Sequence, residues 1–507
     1  MVLCQERWTE PEIIASDSGG ISIMSGTIES ITGEIYFIWW SWYIKEEAPY
    51  LVLYYIRQDK LSGWTEPVQL ASQTVVHNIA DPSIVINSSS NTFSVFRGIS
   101  KSNVRIEKFV ILTEYDKYTG EEIDQITVFQ VEDTTSNENF LVYDLVQNSS
   151  GDIFTVTDYL VSFEAEKNSL LFRSYINENW SEVREIPIWD STGYEYEPSI
   201  CIDKNDNLHL VFVGQSPENS DPMEPYNYWR VYYINSPDNG ETWSAPVYVN
   251  QALGWHARMP QIVIDSNNIR HILWNEDTNG DLWPDAIYYS YSADGIQWSY
   301  PRELSHEDDG SYPLLAVYHM VIDTNDTLYF QIVNPHKVNP DGRLTRQYIY
   351  GRENTWHVID IPFPENPDIR DTQGRFIIGT NKIHSIWIQM HLGDLPDVET
   401  FLKHHWKTSD ITSTKPPSSI PDKFIMSIYP NPFNASTSIQ FSIPKSSMVS
   451  LTVYDMLGRK VDSIMHQNLE RGNYNVRWDG NNSVSGIYFI KIVSGDFINT
   501  QKVVLLK

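Results

Sequence analysis

Ser236-Pro-Asp-Asn-Gly-Glu-Thr-Trp243, followed by Ser244-Ala-Pro246, is the stretch on which the reading of this chain turns. An aromatic and β-branched run, Trp229-Arg-Val-Tyr-Tyr-Ile234, precedes it, and Val247-Tyr-Val249 follows. Strand, tight turn and strand make a hairpin. Asp238 can accept backbone N–H bonds across the turn, Gly240 supplies a backbone angle that other residues resist, and Trp243 has a large apolar face to bury on the hairpin. A shorter copy stands at Ser292-Ala-Asp-Gly-Ile-Gln-Trp298.

Outward from this hairpin the chain repeats. One unit is strand, polar turn, strand: Pro198-Ser-Ile-Cys-Ile-Asp203 with Leu208-His-Leu-Val-Phe-Val213 is the clearest, and Pro82-Ser-Ile-Val-Ile86 and Pro260-Gln-Ile-Val-Ile264 begin others. Fainter copies start near Ile21, Tyr143, Val317 and Ile369. The second unit ends in a tryptophan, at Trp8, Trp64, Trp180, Trp243, Trp298 and Trp356, with a degenerate copy around Thr119-Gly-Glu-Glu122. Seven units at roughly 50 to 65 residues match four-stranded propeller blades. The first tryptophan unit, Glu6-Arg-Trp-Thr-Glu-Pro11, precedes any partner, and the last unit stops at Thr408-Ser-Asp410 without one. The N-terminal strand is therefore expected to complete the last blade, leaving no open edge. The expected fold is all-β: a seven-bladed propeller, or alternatively a six-bladed one, over residues 1–410. Residues 411–425 form a Pro/Ser/Thr linker, and short strands over 426–507 make a small Ig-like β-sandwich.

Composition agrees. Of 507 residues 13% are aromatic, and helical periodicity is absent. A net charge of −30 excludes nucleic acid as a partner. No apolar run is long enough for a transmembrane helix. Cys4 and Cys201 are expected on distant strands, too far apart for a disulfide.

The pattern Ser236-x-Asp238-x-Gly240-x-Thr-Trp243, with Ser292, Asp294, Gly295 and Trp298, resembles the Asp-box of sialidase-like β-propellers. The C-terminal part resembles the type A sorting domain of the type IX secretion system. The matching residues are Tyr429-Pro-Asn-Pro-Phe-Asn434, Val453-Tyr-Asp-Met-Leu-Gly-Arg459, Trp478-Asp-Gly480, Ser485-Gly-Ile-Tyr488 and Lys502-Val-Val-Leu-Leu-Lys507. That resemblance implies export to the cell surface or medium, with the secretion machinery as partner of 426–507. Export also implies a leader, and Met1-Val-Leu-Cys-Gln-Glu-Arg-Trp8 contains none.

A sialidase resemblance would imply three arginines for a substrate carboxylate. Arg258-Met-Pro260 is similar to the family's Arg-Ile-Pro element and Arg97 is a second candidate, with no third. Segments before the innermost strands are expected to line a channel mouth: His77 and Asp81; Tyr194, Glu195 and Glu197; Trp255, His256 and Arg258; and Tyr312. Aromatic faces with carboxylates suit a carbohydrate cleft. Glu195 and Glu197, two apart on one strand, would face the same way, as acid/base work on a glycosidic bond needs. The ordinary alternative is a polar rim. Asp277, Asn279, Asp281 and Asp285 have partial calcium-loop spacing, against the alternative of a solvated hairpin. The functional expectation is a binding module for glycans or surface proteins. The alternative is a glycoside hydrolase.

Overall fold

The computed structural model describes residues 8–408 except 10, 18–19, 30–31, 46–47, 60–62, 75–81, 88–90, 103–105, 134–142, 163–166, 189–193, 216–228, 250–255, 279, 281–283, 307–318, 335–344, 354, 362–368, 380–381 and 393–397; from 425 to 506 it omits 430–432, 435, 444, 470–471, 481–482 and 496. The chain divides into two compact units, Met1–Ile411 and Thr412–Lys507. Among the described residues all regular structure is β-strand.

Among the described residues the first unit contains seven antiparallel sheets, six of them runs of neighbouring strands in chain order. The fourth, for example, is Tyr194–Ile202, Leu208–Gln215, Arg230–Ser236 and Val247–Tyr248. The fifth is His256–Ile264, Arg270–Asp277, Ala286–Ser292 and Arg302–His306. The seventh is Ile369–Ile378, Lys382–Leu392 and Val398–Thr408, completed by Glu12–Asp17 from the start of the chain. Glu12 pairs with His404 and Asp17 with Thr400, and Thr9 N–H donates to Trp406 O at 2.9 Å. Glu12–Asp17 is thus the fourth strand of this sheet, paired with Val398–Thr408.

Packing follows the same cycle. The first strand of each sheet neighbours the first strands of the sheets before and after, and Ile369–Ile378 of the seventh neighbours Gly20–Ile28 of the first. Among the described residues, seven apolar clusters lie between neighbouring sheets. One joins Phe154 and Phe172 of the third sheet to Leu210 and Ile234 of the fourth; another joins Ile386 and Leu402 of the seventh to Phe37 and Ile56 of the first.

The tryptophan units are the joints. Ser236 Oγ donates to Asp238 Oδ1 (2.8 Å) and accepts from Gly240 N–H (2.8 Å), while Thr242 N–H and Oγ1 donate to the Asp238 carboxylate. This rigid turn lays Trp243 edge-on against Phe172 of the preceding sheet, centroids 5.5 Å apart. The copy repeats it: Asp294 accepts Ile296 and Gln297 N–H, and Trp298 meets Tyr233 at 5.3 Å. In the degenerate copy Asp116 accepts the N–H groups of Tyr118 and Thr119, and Gly120, φ +71°, lies against Val68 of the preceding sheet as Gly240 lies against Phe172.

Gly240 has φ +83°, and a Cβ there would lie 2.2 Å from Phe172 Cε1. Gly63, φ +81°, has nothing within 4 Å. Gly240→Ala is therefore expected to cost about 3 kcal/mol, backbone strain plus overpacking, and Gly63→Ala about 1 kcal/mol, strain alone. Equal losses in urea titrations of the two variants would mean that the Phe172 contact contributes nothing.

In the second unit, Ile425–Tyr429, Ser436–Ile443 and Gly472–Asp479 form one sheet. Ser447–Asp455, Lys460–Leu469, Gly486–Ser494 and Phe497–Leu505 form the other. Both feed one core that includes Phe433, Ile439, Trp478, Ile490 and Leu505. Ile425–Tyr429 and Lys460–Leu469 were not marked by the sequence pattern; the latter is largely exposed and carries no alternation.

Candidate functional site

Turn geometry separates the two ends of the first unit. At one end the Asp-anchored turns are short and hydrogen-bonded. Asp203 accepts the N–H groups of Asn205 and Asn207, and Asp265 those of Asn267 and Ile269. At the other end lie the starts of Tyr194–Ile202 and His256–Ile264. His77, Asp81, Trp255 and Tyr312 are candidates from other segments. Those four candidates, with Asn279 and Asp281, lie outside the described residues.

The described candidates meet at the seam between the fourth and fifth sheets. Tyr194, Glu195 and Glu197, expected before a strand, lie within Tyr194–Ile202; His256 and Arg258 lie within His256–Ile264. Each strand has a bulge, between Tyr196 and Ser199 and between Arg258 and Gln261. Glu197 (φ 50°) and Met259 (φ 49°) sit at the bulges in the left-handed region, each followed by proline. This is costly backbone for such residues, and strain of this kind concentrates at functional sites.

The bulge corrects one expectation. Glu195 and Glu197 do not share a face by simple alternation, because the ladder slips between them. Glu195 is buried. The Glu197 carboxylate reaches the fifth sheet, accepting from Arg258 Nε at 3.0 Å and Met259 N–H at 2.6 Å. The Arg258 guanidinium lies 4.8 Å over Trp229. Tyr196 packs at 5.5 Å on one side of that indole, and His256 meets it edge-on at 5.5 Å on another. Trp229 is fixed by a parallel bridge to His256 and by Ala257 N–H donating to its carbonyl.

A buried polar layer supports this seam. Arg230 Nη1 is 3.8 Å from Glu276, which also accepts Trp274 Nε1–H at 2.6 Å. Burial holds His256 below the usual imidazole range, against the pull of Asp277. Trp229, Tyr196 and Arg230 were not singled out in the sequence. Their only signal was position, at a strand's upper end beside two bulges.

The remaining candidates separate. Arg97 is buried on the second sheet, on the face of Phe93 and Val95 that packs against the first sheet, so it does not join Arg258. Asp277 accepts Gly280 N–H, and Asp285 accepts Thr278 N–H and Oγ1–H. Among the described residues no group of three His, Cys, Asp or Glu is placed to hold a metal ion. His404 and His405 face opposite ways, His404 to Glu12 and His384, His405 to Tyr348.

Asp144, on the third sheet's innermost strand, accepts Ile200 N–H of the fourth at 2.9 Å. Burial lifts its carboxyl to about 6. Cys201 is a free thiol, driven up by burial.

In the second unit the turn Asp455-Met-Leu-Gly-Arg459 is closed by Asp455, which accepts Leu457 and Arg459 N–H and pairs with Arg459 Nε at 2.7 Å. Phe433, Trp478 and Tyr488 pack in series, the first pair tilted at 5.4 Å and the second edge-on at 5.3 Å. Residues 427–506 match the family model of the secretion system C-terminal sorting domain. That match supports a secreted or cell-surface protein.

No curated protein matches the chain. Solved structures similar to it include an α-L-arabinofuranosidase from Fusarium graminearum, at 11% identity, covering 75% of this chain and 92% of that one, TM-score 0.42. An α-L-arabinanase from Penicillium chrysogenum is 11% identical, covering 78% and 98%, TM-score 0.42. The polysaccharide lyase Uly1 is 11% identical, covering 80% and 93%, TM-score 0.46.

Proposed function

We propose that the first unit is a seven-bladed, sialidase-like β-propeller, exported through type IX secretion by an Ig-like second unit, and that it binds glycans at the cell surface or in the medium. The cyclic packing of seven sheets supports the propeller, and the sorting-domain match supports the route. The observation that carries the binding reading is the Trp229 indole, with Arg258 over it and Tyr196 beside it. An apolar face ringed by a few fixed polar groups is how carbohydrate sites are built.

A glycosidase would need two carboxylates facing the same bond. Glu197 is instead tied to Arg258 and Met259 N–H, which favours binding over hydrolysis. A glycan array with the full chain is expected to yield a ligand, and Trp229→Ala to weaken it about tenfold or more. Release of reducing ends from that ligand, lost in Glu197→Gln, would replace this reading with the hydrolase. In a type IX host, a chain ending at residue 424 and given a cleavable leader is expected to stay in the periplasm, while the full chain with the same leader is exported.

A further inference from the structure

We propose that Glu197 sets ligand specificity at this seam: it holds Arg258 as a neutral ion pair, so that the site accepts uncharged sugars and turns away glycans bearing carboxylates. This rests on the glycan reading above and adds the ligand's charge class.

An unpaired arginine beside an aromatic ring is a strong receptor for carboxylates, because the guanidinium fork matches their geometry. Arg258 is not in that state. Its Nε–H is given to Glu197 Oε1 at 3.0 Å, and the second carboxylate oxygen accepts Met259 N–H at 2.6 Å. Glu197 thus already occupies the place of a ligand carboxylate. The pair is partly shielded, with side-chain exposures of 33% for Arg258 and 13% for Glu197. Two left-handed residues before prolines, at equivalent bulges of adjacent sheets, fix it. Such backbone is kept only where its surroundings over-determine it. What Arg258 still offers is its Nη groups, which have no protein acceptor among the described residues. They are donors suited to sugar hydroxyl and ring oxygens, on a net-neutral pair. The wider field points the same way: residues 1–411 carry 26 Lys and Arg against 60 Asp and Glu, a charge that repels polyanions.

The test compares a galacturonate tetramer with its methyl ester, the same sugar with and without charge, on the full chain. The wild type should bind the ester more tightly, and Glu197→Gln should shift the acid-to-ester affinity ratio towards the acid by about tenfold. Glu197→Asp, which keeps the charge, should restore the ester preference. An unchanged ratio in Glu197→Gln, or a wild type that prefers the acid, overturns the proposal. A second measurement needs no glycan: phenylglyoxal should modify Arg258 several-fold faster in Glu197→Gln than in the wild type, read by peptide mass. Equal rates overturn the proposal even if glycans bind. Failure of both tetramers and of the whole array to bind, with the rates different, would sink the glycan reading while leaving Glu197 as the mask on Arg258.

Discussion

Deleting residues 1–17 should cost the first unit about 6 kcal/mol, enough to unfold most domains of ordinary stability. The deletion removes Ile14 and Ala15 from the core between the seventh and first sheets, and Trp8 from the core between the sixth and seventh. It strips Glu12 from the buried His404, whose Nδ1 lies 2.7 Å from the carboxylate. It also bares the edge of Val398–Thr408, and an unpaired edge recruits other strands. The truncated chain should therefore melt far lower and associate, and a peptide of residues 6–17 added in trans should restore the monomer by strand addition. A truncated chain that stays monomeric and melts within about 2 °C of the full one would show that closure contributes little.

Stability should also fall steeply between pH 6.5 and 4. His209, wedged between Tyr233 (2.6 Å) and Asp203 (3.5 Å), is held neutral by burial, at about 4. His384 is pushed to about 3, and His404 is lowered, also by burial first. Each folded value lies below the unfolded value of 6.5, so the unfolded chain takes up protons first as pH drops. The stabilisation is complete above pH 6.5 and is lost below it, by about 3 kcal/mol at pH 4 for His209 alone. Asp144 opposes this: its raised value means the folded state gains its proton first, between about 6 and 3.8. His256 and His319, also held neutral by burial, act in the same direction, so the histidines outweigh the one aspartate and the net slope is downward. Melting temperatures taken across this range should show it, and His209→Phe should reduce the slope by about one proton. A flat profile would mean the histidines charge in place.

The repeat was legible because its determinants are local. A turn such as Ser236-x-Asp238-x-Gly240 specifies its own hydrogen bonds, and its tryptophan needs only an aromatic surface on the sheet before it. Even the weak copy at Asp116 to Gly120 kept the aspartate and the glycine while losing the tryptophan. The seam was legible only in part. Glu197 and Arg258 were visible as residues, but their union depends on two bulges, and a bulge before proline leaves no periodic trace. Simple alternation therefore paired Glu195 with Glu197 and missed the partner 61 residues away. Trp229 escaped notice because its role comes from a parallel bridge to the next sheet.

The borrowed N-terminal strand also has a mechanical consequence. Val398–Thr408 is the last described strand before the chain passes to the second unit, and it is held on both sides, by Lys382–Leu392 and by Glu12–Asp17. Were it an edge, tension on the connecting segment could peel it away one hydrogen bond at a time. Flanked as it is, and pulled along its own axis, it must shear two ladders at once. A cargo tethered or towed through its C-terminal domain is thereby loaded on a strand held by two ladders rather than one.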